Sequence, residues 1–521
     1  MLVSGGVHKS SLLTESLFVC LFASSVVSLC SISSLLVQAL ITIHKMEKLK
    51  NKYILFFFMV SFILQIHGQY LPKDGAKLNY NQIYFEYPAS KNIDVYKLYL
   101  AYDSSENKED FSNLLIKTQT SKTASTKIEG LIFGKKYKWY VETILKNKEV
   151  IKSHIHYFSL YECPYADTSM YKFKQHYSSN TSIEDGIIWL DQMHCAINRN
   201  LEVVWFLAPI IEDFKENKQV RDFRVYSDGT ISFISEGEAY HINKDLTIIW
   251  QAPNTGKISE EKKENYHHSF EKLQNGNYIV LGNQYIELER TDTKDTTDRS
   301  VEFTTVIEYN KNKEVVWSWR LLDNFKLDLL VNPETNSIYN THCNSLSLSP
   351  DGQKILLSFR DLSRIMEIEK KSGKILKSFG KKLNKIDTLV YETDLFMFPH
   401  DAKYIDKETI SVLNNNDIKN KKISSLVYLK LPNSDKNQQI LQKWAFQFDY
   451  DKYTDGKSSK MGNHVVLPNK NLLINEGSIN RIVEINPIKK IPLWDLMITK
   501  NYGNSGWNDF AVYRVFFTKK L

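Results

Sequence analysis

The sequence predicts an all-β chain: a six-bladed β-propeller over residues 161–521, preceded by a small β-sandwich over 69–160. Three observations carry this expectation. Short segments of alternating apolar and polar residues recur between Tyr70 and Leu160. From Tyr161 onward, a strand ending in tryptophan returns at Trp205, Trp250, Trp317, Trp444 and Trp494, with Lys377 once in the tryptophan's place. Three histidines, His268, His342 and His400, stand at matching positions of three of these units.

Length and composition set the frame. At 521 residues the chain exceeds one ordinary core, so it holds several domains or one large repeat architecture with additions. A hydrophobic fraction of 42% with 12% aromatics suits a folded, strand-rich protein rather than a disordered one. The net charge of +7 is spread over lysine-rich loops. No basic stripe with interleaved aromatics and no known binding module appears, so no nucleic-acid partner is expected. Of five cysteines, Cys20 and Cys30 lie in an apolar run, and Cys163, Cys195 and Cys343 make no disulfide framework. A Cys163–Cys195 bridge is left open at this stage.

Two apolar segments open the chain. Residues 16–43 carry no charge and are long enough to span a bilayer. A second segment starts at Met46 with a lysine-rich stretch, runs apolar from Tyr53, and ends near His67-Gly68-Gln69, the pattern of a secretory signal. Residues 1–45 are therefore expected to be an apolar leader or upstream artefact, and 46–68 a signal peptide or membrane anchor. The expected location is exported: periplasmic, extracellular, or anchored facing outside. Oligomeric state is left open.

In the 69–160 region, Ile83-Tyr-Phe-Glu-Tyr, Val95-Tyr-Lys-Leu-Tyr-Leu-Ala-Tyr and Lys136-Tyr-Lys-Trp-Tyr-Val alternate with period two, as half-buried strands do. The stretch Leu131-Ile-Phe-Gly134-Lys-Lys-Tyr137 resembles the corner of fibronectin type III domains, in which a tyrosine after a glycine turn enters the penultimate strand. That likeness implies an accessory domain.

Beyond Tyr161, the tryptophan-bearing strands repeat at intervals of 45 to 67 residues, the spacing of propeller blades with loop insertions. Each unit carries an earlier turn, at Asp228-Gly, Asn275-Gly, Asp351-Gly, Asp406-Lys or Asn469-Lys, of the kind that joins two strands. The tryptophans read as plugs between blades. The strand beginning Asp509-Phe-Ala-Val-Tyr-Arg-Val-Phe-Phe is expected to close the ring by pairing with the first blade.

Placing His400 on His268 aligns thirteen following positions without a gap, leucine ending on leucine. Imidazoles recurring at one repeat position are poorly explained by packing, which would choose Val, Leu or Phe. Each precedes its turn by six to nine residues, so all three should enter one channel. Strand alternation turns His267 away and likewise sends Cys343 away from the pocket of His342, leaving it a buried thiol. Arg360, after the turn of the fourth blade, can reach the same mouth. Imidazoles with a fork-shaped cation suit a tetrahedral oxyanion. One histidine can attack the central atom while others hold its oxygens or protonate the leaving group. No glycine-rich phosphate loop appears, so no nucleotide-type sulfate donor and no cofactor is indicated.

The strings His268…Asn275-Gly-Asn, His342-Cys-Asn344-Ser345, Ser358-Phe-Arg360 and Pro399-His400-Asp401-Ala402 resemble the bacterial-type arylsulfate sulfotransferase family. The resemblance covers most of 161–521. It implies a six-bladed propeller that moves a sulfuryl group from an aryl sulfate donor to a phenolic acceptor without a nucleotide, by a ping-pong mechanism. By the same resemblance, His400 is transiently sulfated, His342 and Arg360 hold the sulfuryl group, Asn344 matches the motif asparagine that binds substrate, and His268 completes the catalytic set. This chain departs in having Ser269 where an aspartate is common, and it lacks a closely spaced cysteine pair found in some members. Two other classes remain. A metal enzyme would use the three histidines as ligands, although the cationic Arg360 beside a divalent ion is unfavourable. A non-catalytic surface propeller would use the blades as a binding platform.

Overall fold

In the segment from Tyr70 to Leu160, alternation sorts the side chains to two faces. Ile83 and Phe85 are buried while Tyr84 and Glu86 point outward, and Tyr96, Leu98 and Leu100 do the same on the longer strand Ile93–Tyr102. The computed structural model describes residues 70–103, 111, 115–179, 183–288, 299–330, 339–385, 387, 390–416, 422–432 and 439–521. The leader over 1–45 and the signal or anchor over 46–68 lie outside the described residues, as does Gln69. Residues 70–521 form one compact unit.

That unit is all-β. Among the described residues the only α-helix is Leu321–Asn324, and no helix is long and apolar enough to cross a membrane. In the N-terminal part, Ala76–Leu78, His156–Leu160, Lys136–Leu145, Ile93–Tyr102 and Leu115–Ser121 form one sheet in that order, with Val150–Lys152 pairing to Lys136–Leu145. Ile83–Glu86 and Ser125–Ile128 form a second. Phe85, Trp139, Tyr137 and Phe158 share the core there. The Tyr137 hydroxyl donates to the Ile132 carbonyl at 2.9 Å and accepts from the Ile132 N–H at 2.8 Å.

Six sheets follow, antiparallel except where Val390–Glu392 pairs in parallel with Ile375–Gly380 at the edge of the fourth. The first contains Ile187–Leu190, Cys195–Ile197 and Val203–Phe206; the second runs from Val220–Val225 to Ile248–Gln251; the third from Asn265–Lys272 to Val315–Arg320. The fourth begins with Cys343–Leu348 and Lys354–Phe359, the fifth with Pro399–Tyr404 and Thr409–Asn414, the sixth with Asn463–Val466 and Leu472–Asn475. The last strand, Val515–Thr518, returns to pair with Ile187–Leu190, Val515 facing Leu190. The closing strand expected from the sequence therefore sits in the first sheet.

Each sheet shares an apolar core with the next. Trp250 packs with Phe270 between the second and third, Leu281 with Leu357 between the third and fourth, Leu356 with Val412 between the fourth and fifth, and Leu413 with Ile474 between the fifth and sixth. Trp494 of the sixth packs with Trp189 of the first and Phe223 of the second. Strands sandwiched this way are buried on both faces, as Leu472–Asn475 is throughout. The first-to-second-strand turns repeat one device. The side-chain oxygen of Asp228, Asn275, Asp351, Asp406 or Asn469 accepts the N–H two residues on, at 2.8–3.1 Å, an Asx turn.

The tryptophan strands are the fourth in their sheets' order, and several indoles reach the neighbouring sheet. Trp205 Nε1 donates to the Lys244 carbonyl at 2.9 Å and Trp444 Nε1 to the Pro487 carbonyl at 3.0 Å. In the third sheet the bond is made by Trp319, to the Gly373 carbonyl at 2.9 Å, rather than by the expected Trp317. Two residues along a strand is the same face; Trp317 keeps the register of the other tryptophans, opposite Glu308 beside a register shift as Trp205 is opposite Ala196, and packs partly buried against the core shared with the fourth sheet. Lys377 fills the missing tryptophan's place with an ammonium, donating to the Pro432 carbonyl at 2.7 Å.

Candidate active site

The first strands of the second to fifth sheets are bulged. Register shifts fall between Arg221 and Arg224, Tyr266 and Phe270, Cys343 and Ser345, and His400 and Lys403. At or beside these places Asp222, His268, His342 and Asp401 have φ of 60°, 62°, 35° and 50°. Non-glycine residues rarely adopt such angles, and bulges re-aim the side chains they carry. Alternation therefore fails at His267. Instead of turning away, its Nδ1 lies 2.5 Å from His268 Nδ1, so one imidazole donates to the other.

The predicted residues are gathered. The rings of His268 and His342 are 5.0 Å apart and nearly perpendicular. Arg360 begins beside them, its N–H donating to the His342 carbonyl at 3.1 Å. Its Nη1 reaches Asp361 at 2.5 Å and its Nη2 the Ser459 carbonyl at 3.1 Å, while the guanidinium lies 5.3 Å from the Phe398 ring centre. Asn344 is fully buried, with Nδ2 donating to the Pro399 carbonyl at 2.8 Å. It thus braces the strand that carries His400. His400 is 2% exposed, whereas the His342 and Arg360 side chains keep 31% and 30% exposure, so the site opens to solvent on their side.

His400 Nδ1 lies 2.7 Å from the Gly462 carbonyl and Nε2 lies 2.7 Å from the Tyr513 hydroxyl. A carbonyl only accepts, so Nδ1 carries the proton and Nε2 holds a lone pair that accepts from Tyr513. Gly462 is required here. With φ of 94°, a Cβ would stand 2.7 Å from the Asn475 carbonyl oxygen. Burial, reinforced by Arg514, pushes the His400 pKa down to about 3, so the ring is neutral. Burial likewise drives His268 well below its ordinary value, with His267 and Arg221 adding to it. Burial works against the charge of Asp401, yet Lys403, His464 and Arg514 hold its carboxyl far below the carboxylate range. Its Oδ2 meets Lys403 Nζ at 2.7 Å and the His464 N–H at 3.1 Å. Glu302 Oε2 lies 3.5 Å from His342 Nδ1. Burial opposes the charge of Glu302 too, but His342 and His267 keep it ionised.

Several residues here escaped the sequence reading. Arg514 Nη1 donates to Asp222 at 2.5 Å, to the His268 carbonyl at 2.9 Å and to Ser269 Oγ at 3.2 Å. Its Nη2 donates to the Asn344 carbonyl at 2.6 Å. One guanidinium therefore ties three first strands together, and Ser269, the family departure, is one of its acceptors. Asp191 receives the N–H groups of Tyr513 and Arg514 at 3.1 and 3.0 Å. A charged residue inside the apolar run from Val512 to Phe517 was the available signal. Cys343 is buried and its thiol pushed up to about 12 by burial, as an inert thiol should be, and Cys163 and Cys195 are free. Among the described residues no group of three His, Cys, Asp or Glu side chains is arranged to hold a metal ion.

The sequence profile of the arylsulfotransferase (ASST) family matches residues 178–508. The chain belongs to the arylsulfotransferase family. It is in the general sense an aryl sulfotransferase, handling small aromatic substrates. No curated protein matches the chain. Among solved structures, it is similar to a protein of unknown function from Bacteroides caccae, at 15% identity over 64% of this chain and 97% of that one, with a TM-score of 0.39. It is also similar to the hydrazine synthase of Kuenenia stuttgartiensis, at 9% identity over 65% and 97% of the two chains and a TM-score of 0.33. Hsv2p of Kluyveromyces lactis matches at 10% identity over 75% and 93%, with a TM-score of 0.26. The arylsulfotransferase match covers all four strings that carried the resemblance.

Proposed function

We propose that this arylsulfotransferase moves a sulfuryl group from a phenolic sulfate ester to a phenolic acceptor, without a nucleotide donor, by a ping-pong mechanism through sulfated His400. The supporting observation is the His400 ring: neutral, buried, and fixed by Gly462 so that Nε2 presents its lone pair. A nucleophile prepared this way needs no base to activate it. Attack on sulfur expels the phenolate, and charge spreads over the sulfuryl oxygens, where positioning and fixed donors supply most of the rate. Arg360 and His342, on the open side, are suited to hold those oxygens. His268, paired with His267, is suited to exchange the proton of the leaving or entering phenol. Asn344 acts by bracing Pro399 and, through it, His400.

The same reading takes residues 161–521 as a six-bladed propeller and 69–160 as a fibronectin type III-like sandwich. In its favour are the cores shared around all six sheets, the return of Val515–Thr518 to the first, and the Tyr137–Ile132 corner. The apolar segments before Gln69 favour export to the periplasm or cell exterior, free or anchored.

The test is release of p-nitrophenol from p-nitrophenyl sulfate by the 69–521 protein, with and without phenol, beside His400→Ala. Sustained release that requires phenol and vanishes in the variant is expected, with parallel double-reciprocal plots. Turnover that survives His400→Ala would overturn the nucleophile assignment.

A further inference from the structure

The Tyr513 hydroxyl stands on the axis along which a phenol must approach in the reaction just described. Sulfur reaching His400 Nε2 arrives along the nitrogen lone pair, with the ester oxygen in line beyond it. The acceptor oxygen then takes that same place in the second half-reaction. This axis is held by Tyr513 Oη, 2.7 Å from Nε2. Tyr513 is itself a phenol, the chemical class of the acceptor. It is 4% exposed and anchored through its N–H to Asp191. Its ring lies 5.2 Å from that of His400 and 5.4 Å from that of His268. Arg221 lies 5.0 Å from the ring centre, and its buried Nε–H has no acceptor among the described residues.

We propose that Tyr513 is a self-sulfation site that takes the sulfuryl group from His400 when no external phenol is present. This rests on the reading of His400 as the sulfuryl carrier. Tyr513 withdraws as a donor enters, and returns when the product phenol leaves, now facing sulfur from the side opposite Nε2. The N–S bond breaks with its electron pair returning to Nε2, a new S–O bond forms to Tyr513 Oη, and the phenolic proton passes to the neutral imidazole of His268. The anionic ester formed is faced by Arg221. A side chain already in the site competes at high effective concentration, so the step outruns hydrolysis once acceptor is absent. The product is an aryl sulfate, hence a donor in its own right, and it returns the group to His400 when phenol is supplied.

The 69–521 protein is incubated with p-nitrophenyl sulfate alone, quenched at intervals and mapped by peptide mass. The added mass of one SO3 group should appear first on His400 and then accumulate on Tyr513, and a phenol chase should remove it. In Tyr513→Phe the label should stay on His400, and His400→Ala should carry none. Label confined to His400 in the wild-type protein at every time overturns the inference while leaving the carrier reading intact. Label on Tyr513 in His400→Ala overturns the relay. Phenol-dependent turnover with no label on either residue overturns the carrier reading and this inference with it.

Discussion

Arg514 Nη1 and Asp222 Oδ1 lie 2.5 Å apart with side chains only 2% and 0% exposed. This ion pair joins the last segment of the chain to the second sheet, and the same guanidinium serves the carbonyls of His268 and Asn344. Removing one member of a buried pair leaves an uncompensated charge, at a cost of roughly 3–5 kcal/mol. Arg514→Met should therefore lower unfolding stability by about that amount, read from urea denaturation midpoints at unchanged slope. A variant as stable as wild type would show that the pair is not a structural brace.

Arg360 is held by Asp361 and the Ser459 carbonyl in a way that orients its planar fork. Lysine offers a point charge on a flexible stem and cannot reproduce that geometry. Arg360→Lys is expected to lower kcat/KM for aryl sulfates by about 10- to 100-fold, roughly 1.4–2.8 kcal/mol of transition-state stabilisation. Near-normal kinetics would remove Arg360 from the sulfuryl-binding group.

Lys377 donates across to Pro432 where other sheets use an indole. Lys377→Met should cost about 1–2 kcal/mol through the lost hydrogen bond, with sulfuryl transfer unaffected because the residue lies in the fourth strand of its sheet, away from the first strands that carry the histidines. Calorimetry beside the p-nitrophenol assay would check it, and a loss of turnover without loss of stability would contradict the assignment.

Seven described histidines are held below their ordinary value chiefly by burial, among them His194, His241 and His464 at about 4, and His400 at about 3. Their folded pKa values lie below the unfolded value of about 6.5. The unfolded chain thus binds more protons in this window, and stability falls as pH drops from about 6.5 toward 4. Asp191 and Glu476, pushed up by burial to about 7 and about 8, act with the opposite sign but are fewer. Stability should climb between pH 4 and 6.5 and decline modestly from there to about pH 8, as Asp191 and Glu476 ionise in the folded chain. Denaturation midpoints that stay level from pH 7 to 4 would rule this out.

How far the site was legible depended on the kind of signal each residue leaves. His268, His342 and His400 were legible because a repeat puts equivalent positions in register, and a polar side chain kept at an apolar position stands out. Arg360 and Asn344 came with the strings around them. His267 was misread because period-two alternation assumes a regular strand, and a bulge at His268 suspends it. Trp317 stands in the expected register, but the bond to Gly373 comes from Trp319, two residues on along the same face, and only that contact distinguishes them. Gly462, Tyr513 and Arg514 left almost no local trace, since their roles are defined by partners from 62 to 292 residues away.

By itself the sequence determined the all-β class, the repeat and its turns, the set of histidines, and the family. The class, the repeat and the histidines follow from local propensity and periodicity, which are carried by neighbouring residues, and the family from the resemblance of the strings around His268, His342, Arg360 and His400. Tertiary structure alone decided which nitrogen of His400 bears the proton, that a tyrosine rests on the other, and that one arginine braces three sheets. Those are relations between distant segments, made when the last strand returns to the first sheet, and no local pattern in the chain encodes the distances involved.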